Sequence, residues 1–327
     1  MAHLLVAGGA GYIGSHTLRA LGRAGHTTVV VDDLRAGREA FVENAPLVRC
    51  DVGDAEAIRG VFGSYGPFDG VLHFAASLLV AESVTRPLAY YQNNVAAAAT
   101  LIEASLVHGA RAFVLSSSAA VYGAPEKQPI PESAPLAPIN PYGASKTMVE
   151  RILADVESAH GMRWTALRYF NASGADPEGG LGECHDPESH LIPLALEAAA
   201  GLRPGFQLFG TDYPTPDGTC IRDYVHVTDL ATAHVLAVDA LLSGGPGGAY
   251  NLGTGAGRSN RRVLQAVESV TGHQVPVQDA PRRPGDPAEL VADASRFRRD
   301  FDWHPALSDL DTIVRTAWDW LREWRSV

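Results

Sequence analysis

Leu4-Leu5-Val6-Ala7-Gly8-Gly9-Ala10-Gly11-Tyr12-Ile13-Gly14 decides the fold of this chain. The apolar run Leu4–Ala7 reads as a strand buried on both faces, and it feeds directly into glycines spaced Gly8-x-x-Gly11-x-x-Gly14. In such a turn one glycine permits a tight bend, one lets backbone approach a pyrophosphate, and one seats helix against strand. The helix that follows runs through Leu18 and Leu21 to Gly25, with its free N–H groups and positive dipole end facing the anion. A second apolar run, Thr28-Val29-Val30-Val31, ends in Asp32, eighteen positions after Gly14. A carboxylate placed there meets the ribose hydroxyls of an adenosine and repels a 2′-phosphate. Strand, glycines, helix, strand and acid in this order predict a dinucleotide site that takes NAD rather than NADP.

Outward from that unit the alternation continues. Strands are predicted at Leu47–Cys50, Phe68–Phe74, Ala112–Leu115 and Trp164–Tyr169, with helices at 55–62, 87–108 and 142–160 between them. Short connections between alternating strands and helices mean a doubly wound parallel α/β sheet, the Rossmann arrangement, over residues 1–171. Beyond Asn171 the stretch Ala172–Ser189 is rich in Gly, Pro, Asp and Glu and opens a smaller, loop-rich lobe over 172–327. Helices are predicted there at Leu191–Ala200, after a Thr228-Asp229 cap to about Leu242, and at Ser259–Val270. Part of 223–253 is expected to pack back on the first lobe. The Pro-Arg-Arg-Pro-Gly-Asp turn at 281–286 precedes a last strand and two helices.

Composition sets limits on partners. The chain has 327 residues, 46% of them hydrophobic, and a net charge of −11 without any block of Lys or Arg, which argues against nucleic acid or an anionic membrane. No apolar run approaches the roughly 18 residues a membrane helix needs. Cys50, Cys184 and Cys220 match neither a disulfide nor a metal spacing, so no metal is expected and a reducing cytoplasm suits the chain.

The chemistry is concentrated in two places. Ser116-Ser117-Ser118 ends the fifth strand, at the carboxyl edge where a parallel sheet places its ligand. Tyr142-Gly143-Ala144-Ser145-Lys146 sets a tyrosine and a lysine one helical turn apart on one face. Tyrosine titrates near about 10, too high for a base at neutrality; a lysine ammonium and a cationic nicotinamide both favour the phenolate. Ser118 is placed to hydrogen-bond the same substrate hydroxyl.

The glycine pattern, the strand-end serine and Tyr-x-x-x-Lys together resemble the extended short-chain dehydrogenase/reductases, and within them the NAD-dependent nucleotide-sugar epimerases. The likeness is carried by Gly8–His16, His73-Phe74-Ala75, Glu82-Ser83-Val84, Tyr90-Tyr91 with Asn93-Asn94-Val95, and Ser116–Gly123. It continues through Leu167–Asn171, Asp217-Gly218-Thr219 with Arg222-Asp223-Tyr224, Tyr250–Gly253 and Arg282–Asp286, nearly the whole chain. The resemblance implies NAD surrounded by Gly8, Gly11, Tyr12, Ile13, Gly14, Asp32, Asp51, Val52, Phe74, Ala75, Asn93, Lys146 and Phe170. It implies that Ser118 and Tyr142 meet the sugar hydroxyl. It implies a UDP-sugar held by Asn171, Leu191, Phe209, Arg222, Arg283 and Asp286, with Leu290 at the wall facing the sugar's 2-position. Arg222 and Arg283 suit a diphosphate, because a guanidinium fork matches phosphate oxygens. The activity implied is inversion at C4 of a UDP-hexose through a 4-ketose, by a cytoplasmic homodimer paired through the helices at 87–108 and 142–160.

Two departures stand out against that family. Ser77-Leu78-Leu79 occupies a stretch where members often carry a lysine beside the cofactor, and Ala120 stands where threonine is frequent. A nucleotide-sugar 4,6-dehydratase would need an Asp-Glu pair after the strand-end Ser, where this chain reads Ala119-Ala120. Epimerases of UDP-N-acetylglucosamine, UDP-glucuronate or UDP-pentoses remain alternatives. A non-catalytic NAD-sensing protein would have no use for intact Ser118, Tyr142 and Lys146.

Overall fold

The computed structural model describes residues 1–283 and 285–326; Pro284, inside the Arg282–Asp286 turn, and Val327 lie outside the described residues. The first half of the chain gives β1 (His3–Ala7), α1 (Tyr12–Arg23), β2 (Thr27–Asp32), β3 (Leu47–Arg49), α2 (Ala55–Tyr65), β4 (Gly70–His73), α3 (Val80–Thr85), α4 (Pro87–Tyr91), α5 (Ala97–Val107), β5 (Ala112–Ser118), α6 (Pro141–His160) and β6 (Arg163–Tyr169). The second half gives β7 (Asn171–Ser173), α7 (Leu191–Ala199), β8 (Phe206–Phe209), β9 (Ile221–Arg222), β10 (Tyr224–His226), α8 (Val227–Leu242), β11 (Gly248–Leu252), β12 (Arg258–Ser259), α9 (Asn260–Thr271), β13 (Val277–Ala280), β14 (Glu289–Leu290), α10 (Ser295–Phe301) and α11 (Leu310–Arg325).

Seven strands pair in parallel in the order β11-β6-β5-β4-β1-β2-β3. This is the doubly wound Rossmann-like sheet. Its order reverses between β1 and β4, which leaves a crevice at the carboxyl ends of those strands. Alternate residues feed opposite faces. Leu4, Val6, Val30 and Leu72 join Leu18 and Leu21 of α1 and Leu230 and Ala237 of α8. Leu5, Ala7, Val29 and Val71 join Ile58 and Phe62 of α2, Leu101 of α5 and Leu153 of α6. Helices on both faces explain why the strands read as unbroken apolar runs. Each Leu or Val so buried contributes about 1.5–3 kcal/mol relative to exposure. After an excursion, α8 returns to lie on α1 and β11 pairs with β6, as the last strand of the same sheet.

A separate core lies beyond the sheet, with Leu196 of α7, Leu208 of β8, Val263 and Val267 of α9, and Ile313 and Val314 of α11. Its strands are short: β8 pairs with β13, and β9 lies between β12 and β14.

Four details differ from the sequence reading. The predicted helix at 87–108 is one helical column interrupted by a π-turn over Gln92–Ala96, and α3 precedes it. The helix predicted at 55–62 runs on to Tyr65. β7 overlaps the start of the stretch predicted to be irregular and pairs with β10. The cap of α8 is His226, which accepts the Thr228 amide at 3.1 Å; the Asp229 carboxylate instead takes the Leu307 amide and the Ser308 hydroxyl. A histidine ring nitrogen performs the acceptor work that Thr or Asp usually does.

Candidate active site

The glycine turn is pressed against the end of β4. Ala7 accepts the amides of Phe74 and Ala75 at 2.7 and 3.1 Å. A Cβ on Gly8, where φ is +81°, would lie 2.4 Å from the Ala75 nitrogen, and one on Gly14 would lie 2.2 Å from the Gly8 oxygen. The fold itself therefore requires both glycines. Gly11 is different: it sits at the N-cap with φ −81°, and a Cβ there would meet only the Gly8 oxygen, at 3.4 Å. Nothing among the described residues forbids a side chain at Gly11, and the helix has no side-chain cap. The first-turn amides after it, Tyr12 and Ile13 among them, are the donors that a helix start leaves free. A cradle that only a Cβ would fill, beside uncapped amides, fits the pyrophosphate of NAD. The Tyr12 hydroxyl is anchored on the Gly174 carbonyl at 2.6 Å.

Asp32 closes the adenosine end. It is 8% exposed and accepts the Ala10 amide at 3.0 Å and the Leu34 amide at 2.9 Å, so the carboxylate also clamps the glycine turn. Burial pushes its pKa up, and these two amides act in the opposite direction. Asp51 accepts the Gly53 amide at 2.7 Å beside buried Val52. Arg35 reaches Asp51 at 3.1 Å and the Asn93 side chain at 3.3 Å, and it also pairs with Asp33 at 2.5 Å. This exposed arginine joins three parts of the adenosine end, and sequence reasoning passed over it. Its signal was the cation three residues after Asp32. Asn93 and Asn94 lie in the π-turn, where the extra residue per turn re-aims side chains. Asn93 reaches the Ser77 hydroxyl at 3.1 Å, and Asn94 holds the Ser77 amide at 2.8 Å and the Ser145 hydroxyl at 3.1 Å. Phe74 stacks obliquely on the His234 ring, 4.8 Å between centroids.

Ser118, Tyr142 and Lys146 converge above β5. Ser118 ends the strand and caps the turn over Ala119–Tyr122, accepting the Ala120 amide at 3.2 Å. Pro141 opens α6 after the Asn140 cap, whose side chain takes the Gly143 amide at 2.8 Å. The Tyr142 phenol lies beside Ser118, whose hydroxyl acts to lower its pKa. Lys146, 4% exposed, donates Nζ to the Ser116 carbonyl at 2.7 Å and lies 5.9 Å from the Tyr142 ring centre. Burial raises the Tyr142 pKa above its ordinary value, and only the neighbouring Ser118 hydroxyl opposes it. The lysine ammonium is held by the strand carbonyl of Ser116 rather than by the phenol. Burial also lowers Lys146 to about 8, with Glu150 one turn further on opposing it. Glu150 is itself buried under the site, paired with Arg168 at 2.5 Å and accepting the Ser117 hydroxyl at 2.5 Å.

The opposite wall comes from the second half of the chain. Arg222 of β9 pairs with Asp286 at 2.6 Å, and Leu290 of β14 is its neighbour in register. Leu290 and Phe170 pack on the Val121, Tyr122 and Ile130 cluster, which joins this wall to the turn after Ser118. Asn171 follows Phe170, and its amide donates to the Asp223 carbonyl at 3.0 Å. The Arg283 guanidinium lies 4.0 Å over the Phe209 ring. Leu191 opens α7 and packs on the second core.

Over residues 4–253 the chain matches the NAD dependent epimerase/dehydratase family. It is similar to the UDP-glucose 4-epimerase of Azospirillum brasilense, 53% identical over 98% of this chain and 92% of that protein. Its fold is similar to that of UDP-glucose 4-epimerase from Brucella ovis in complex with NAD, with a TM-score of 0.95 and 48% identity over 98% of both chains. It is also similar to UDP-glucose-4-epimerase from Stenotrophomonas maltophila with bound NAD and formylated UDP-arabinopyranose, with a TM-score of 0.96 and 40% identity over 100% of both chains.

Proposed function

The chain belongs to the NAD dependent epimerase/dehydratase family, and from that premise we propose that it inverts C4 of a UDP-hexose, interconverting UDP-glucose and UDP-galactose. The observation that carries this reading is the meeting of Ser118, Tyr142 and Lys146 at the carboxyl edge of the sheet, beside a cradle suited to NAD. NAD, when bound, supplies reversible hydride exchange with the sugar's C4. The protein's part is proton handling and positioning. Tyr142 takes the proton of the 4-hydroxyl and later returns it, while Ser118 holds that hydroxyl. Because burial raises the phenol, the base form depends on positive charge on the open side of the ring. Lys146 orients the edge of β5 and adds a cation near the ring.

Inversion needs the 4-ketose to present its other face before reduction. That requires firm hold on the nucleotide and loose hold on the hexose. Arg222 and Arg283 are assigned to the diphosphate, with Phe209, Asn171 and Leu191 around the nucleotide and Leu290 beside the sugar. Asp286, now paired with Arg222, would exchange that partner for a substrate hydroxyl as the diphosphate arrives. No Asp-Glu pair follows Ser118, so the 4,6-dehydratase reading lacks the groups that elimination needs. The sugar nucleotide in the Stenotrophomonas neighbour favours UDP-pentoses as a second substrate class.

We assign the enzyme to galactose metabolism and, on its three unpaired thiols, to a reducing cytoplasm. No helix among the described residues is long and apolar enough to cross a membrane. The test is direct. Purified enzyme without added cofactor should convert UDP-galactose to UDP-glucose, resolved by chromatography. Activity that consumes NAD stoichiometrically would show net oxidation and reject epimerisation.

A further inference from the structure

Glu183, His185, Glu188 and His190 fall within one short segment between the glycine turn and α7, and the proton-transfer chemistry uses none of them. One donor atom from each gathers in a single spot, all within 4.8 Å of one another. His185 Nδ1 lies 3.0 Å from Glu183 Oε1 and 3.9 Å from Glu188 Oε2, while His190 Nδ1 lies 2.5 Å from Glu183 Oε1 and 3.4 Å from Glu188 Oε1. Two carboxylates and two imidazoles so placed have two explanations: a proton-shared ion-pair network, or a ligand set around a common centre.

The direction of His190 separates them. Its Nδ1 is buried and makes no hydrogen bond, although a carboxylate oxygen is 2.5 Å away. A ring nitrogen set between two carboxylates and aligned with neither is open to a bond from a further centre. The spacing agrees. Four ligands at the usual ~2.1 Å from Zn²⁺ stand about 3.4 Å apart at the corners of a tetrahedron, and the four donor atoms here lie within 4.8 Å of one another, close enough to draw in on one ion. The surroundings are built as well. Glu188 Oε1 accepts the amides of Ser189 and His190 at 2.7 and 2.9 Å, which fixes its carboxylate, and the Trp320 indole holds the Glu183 carbonyl at 2.8 Å.

We infer that Glu183, His185, Glu188 and His190 bind one divalent cation of the Zn²⁺ class. Imidazole with carboxylate suits such borderline metals better than Mg²⁺ or Ca²⁺, which prefer oxygen ligands alone. The expectation that the chain holds no metal rested on cysteine spacing and overlooked Glu-x-His-x-x-Glu-x-His inside an irregular stretch. The position suggests a clip: His190 directly precedes Leu191 at the start of α7, and His185 lies edge-on to Tyr12, 6.3 Å between ring centroids. One ion would thus tie the nucleotide helix to the cofactor turn.

Chelator-stripped, full-length enzyme is titrated with Zn²⁺ by calorimetry, and Co²⁺ is added in parallel to read its visible absorption. The expected result is one equivalent per chain and the strong bands of four-coordinate cobalt. His190→Gln and Glu183→Gln should each weaken binding by at least about tenfold. Their NAD content and unfolding midpoint without metal show whether each variant is folded; if His190→Gln does not fold, His185→Gln takes its place. No uptake by the parent enzyme at ~100 µM Zn²⁺, or uptake unchanged in the folded variants, overturns the site in favour of the ion-pair network.

Discussion

The Cβ that Gly143 lacks would lie 2.4 Å from the carbonyl oxygen of Ala120. Gly143 follows Tyr142 in the first turn of α6, and Ala120 stands two residues after Ser118. Contact between the helix start and that turn is what lets the Tyr142 phenol reach Ser118. The overlap would be with backbone, so a methyl group cannot be accommodated by rotating a side chain. Gly143→Ala should therefore separate Tyr142 from Ser118. Displacement of about 1 Å at a reacting group lowers kcat on the order of 100-fold, and overpacking costs about 1–3 kcal/mol. Steady-state kcat and a denaturant midpoint test this; an unchanged kcat would show that the close approach is dispensable.

Tyr142→Phe should retain fold and nucleotide binding while kcat drops by at least about 100-fold, the scale of losing a general base. Lys146 supplies a pH signature. Its folded-state value, about 8, lies below that of a free lysine, so the ammonium is lost as pH rises through that region. If catalysis needs that charge, kcat/KM acquires an alkaline limb with a midpoint of about 8. Lys146→Met should lower the rate and remove the limb. A limb that persists in Lys146→Met belongs to another group.

Gly11 and Gly14 should behave oppositely. Gly11→Ala meets ordinary contact at 3.4 Å, whereas Gly14→Ala drives a methyl to 2.2 Å from a backbone oxygen. The first variant should keep its unfolding midpoint and lose co-purified NAD by at least about tenfold, since the methyl occupies the pyrophosphate cradle. The second should lose about 1–3 kcal/mol of stability or fail to fold. NAD content equal to the parent in Gly11→Ala would mean that the phosphates lie elsewhere.

Much of this site is readable from residue order because its chemistry is local. The glycine turn, Asp32 and the Tyr142–Lys146 spacing each lie within a single element or connection. The Gln92–Ala96 π-turn was hidden because one extra residue in a helical column leaves no mark in composition. Strands β9, β12 and β14 have two residues each, too few to show a period, and are defined by partners far along the chain. The direction of the Lys146 ammonium was also illegible. Helical spacing puts it on the tyrosine's face, but the carbonyl of Ser116, from another element, decides where it points. His226 as a cap escaped notice because histidine is a rare choice there.

The helices α4–α5 and α6 should pair with their copies in a homodimer. Leu88 of α4 is 73% exposed, Val107 of α5 72% and Met148 of α6 45%, with Val84 of the adjoining α3 at 62%, apolar side chains that a monomer leaves in water. Light scattering at micromolar concentration should give twice the chain mass. Leu88→Glu combined with Met148→Glu should halve it. A parent protein that runs as a monomer removes this assignment.

Leu290 decides how wide the sugar pocket is. It is half-buried on β14, beside Arg222 in register, and packs with Phe170 and Ala134 against the Val121, Tyr122 and Ile130 cluster. One side of the residue is thus held by the fold, while its neighbours Arg222 and Phe170 are those assigned to substrate and cofactor. A leucine here leaves more room than an aromatic ring and still fills part of the space toward the sugar's 2-position. UDP-N-acetylglucosamine should therefore be accepted, less well than UDP-glucose. Leu290→Tyr should abolish the N-acetyl activity and spare UDP-galactose, because steric exclusion acts on the larger substituent alone. The ratio of kcat/KM for the two substrates, parent against variant, reads this directly. A selective loss of at least about tenfold corresponds to about 1.4 kcal/mol of discrimination at the transition state. Equal losses on both substrates would show that Leu290 supports the cluster behind it and does not gate the sugar.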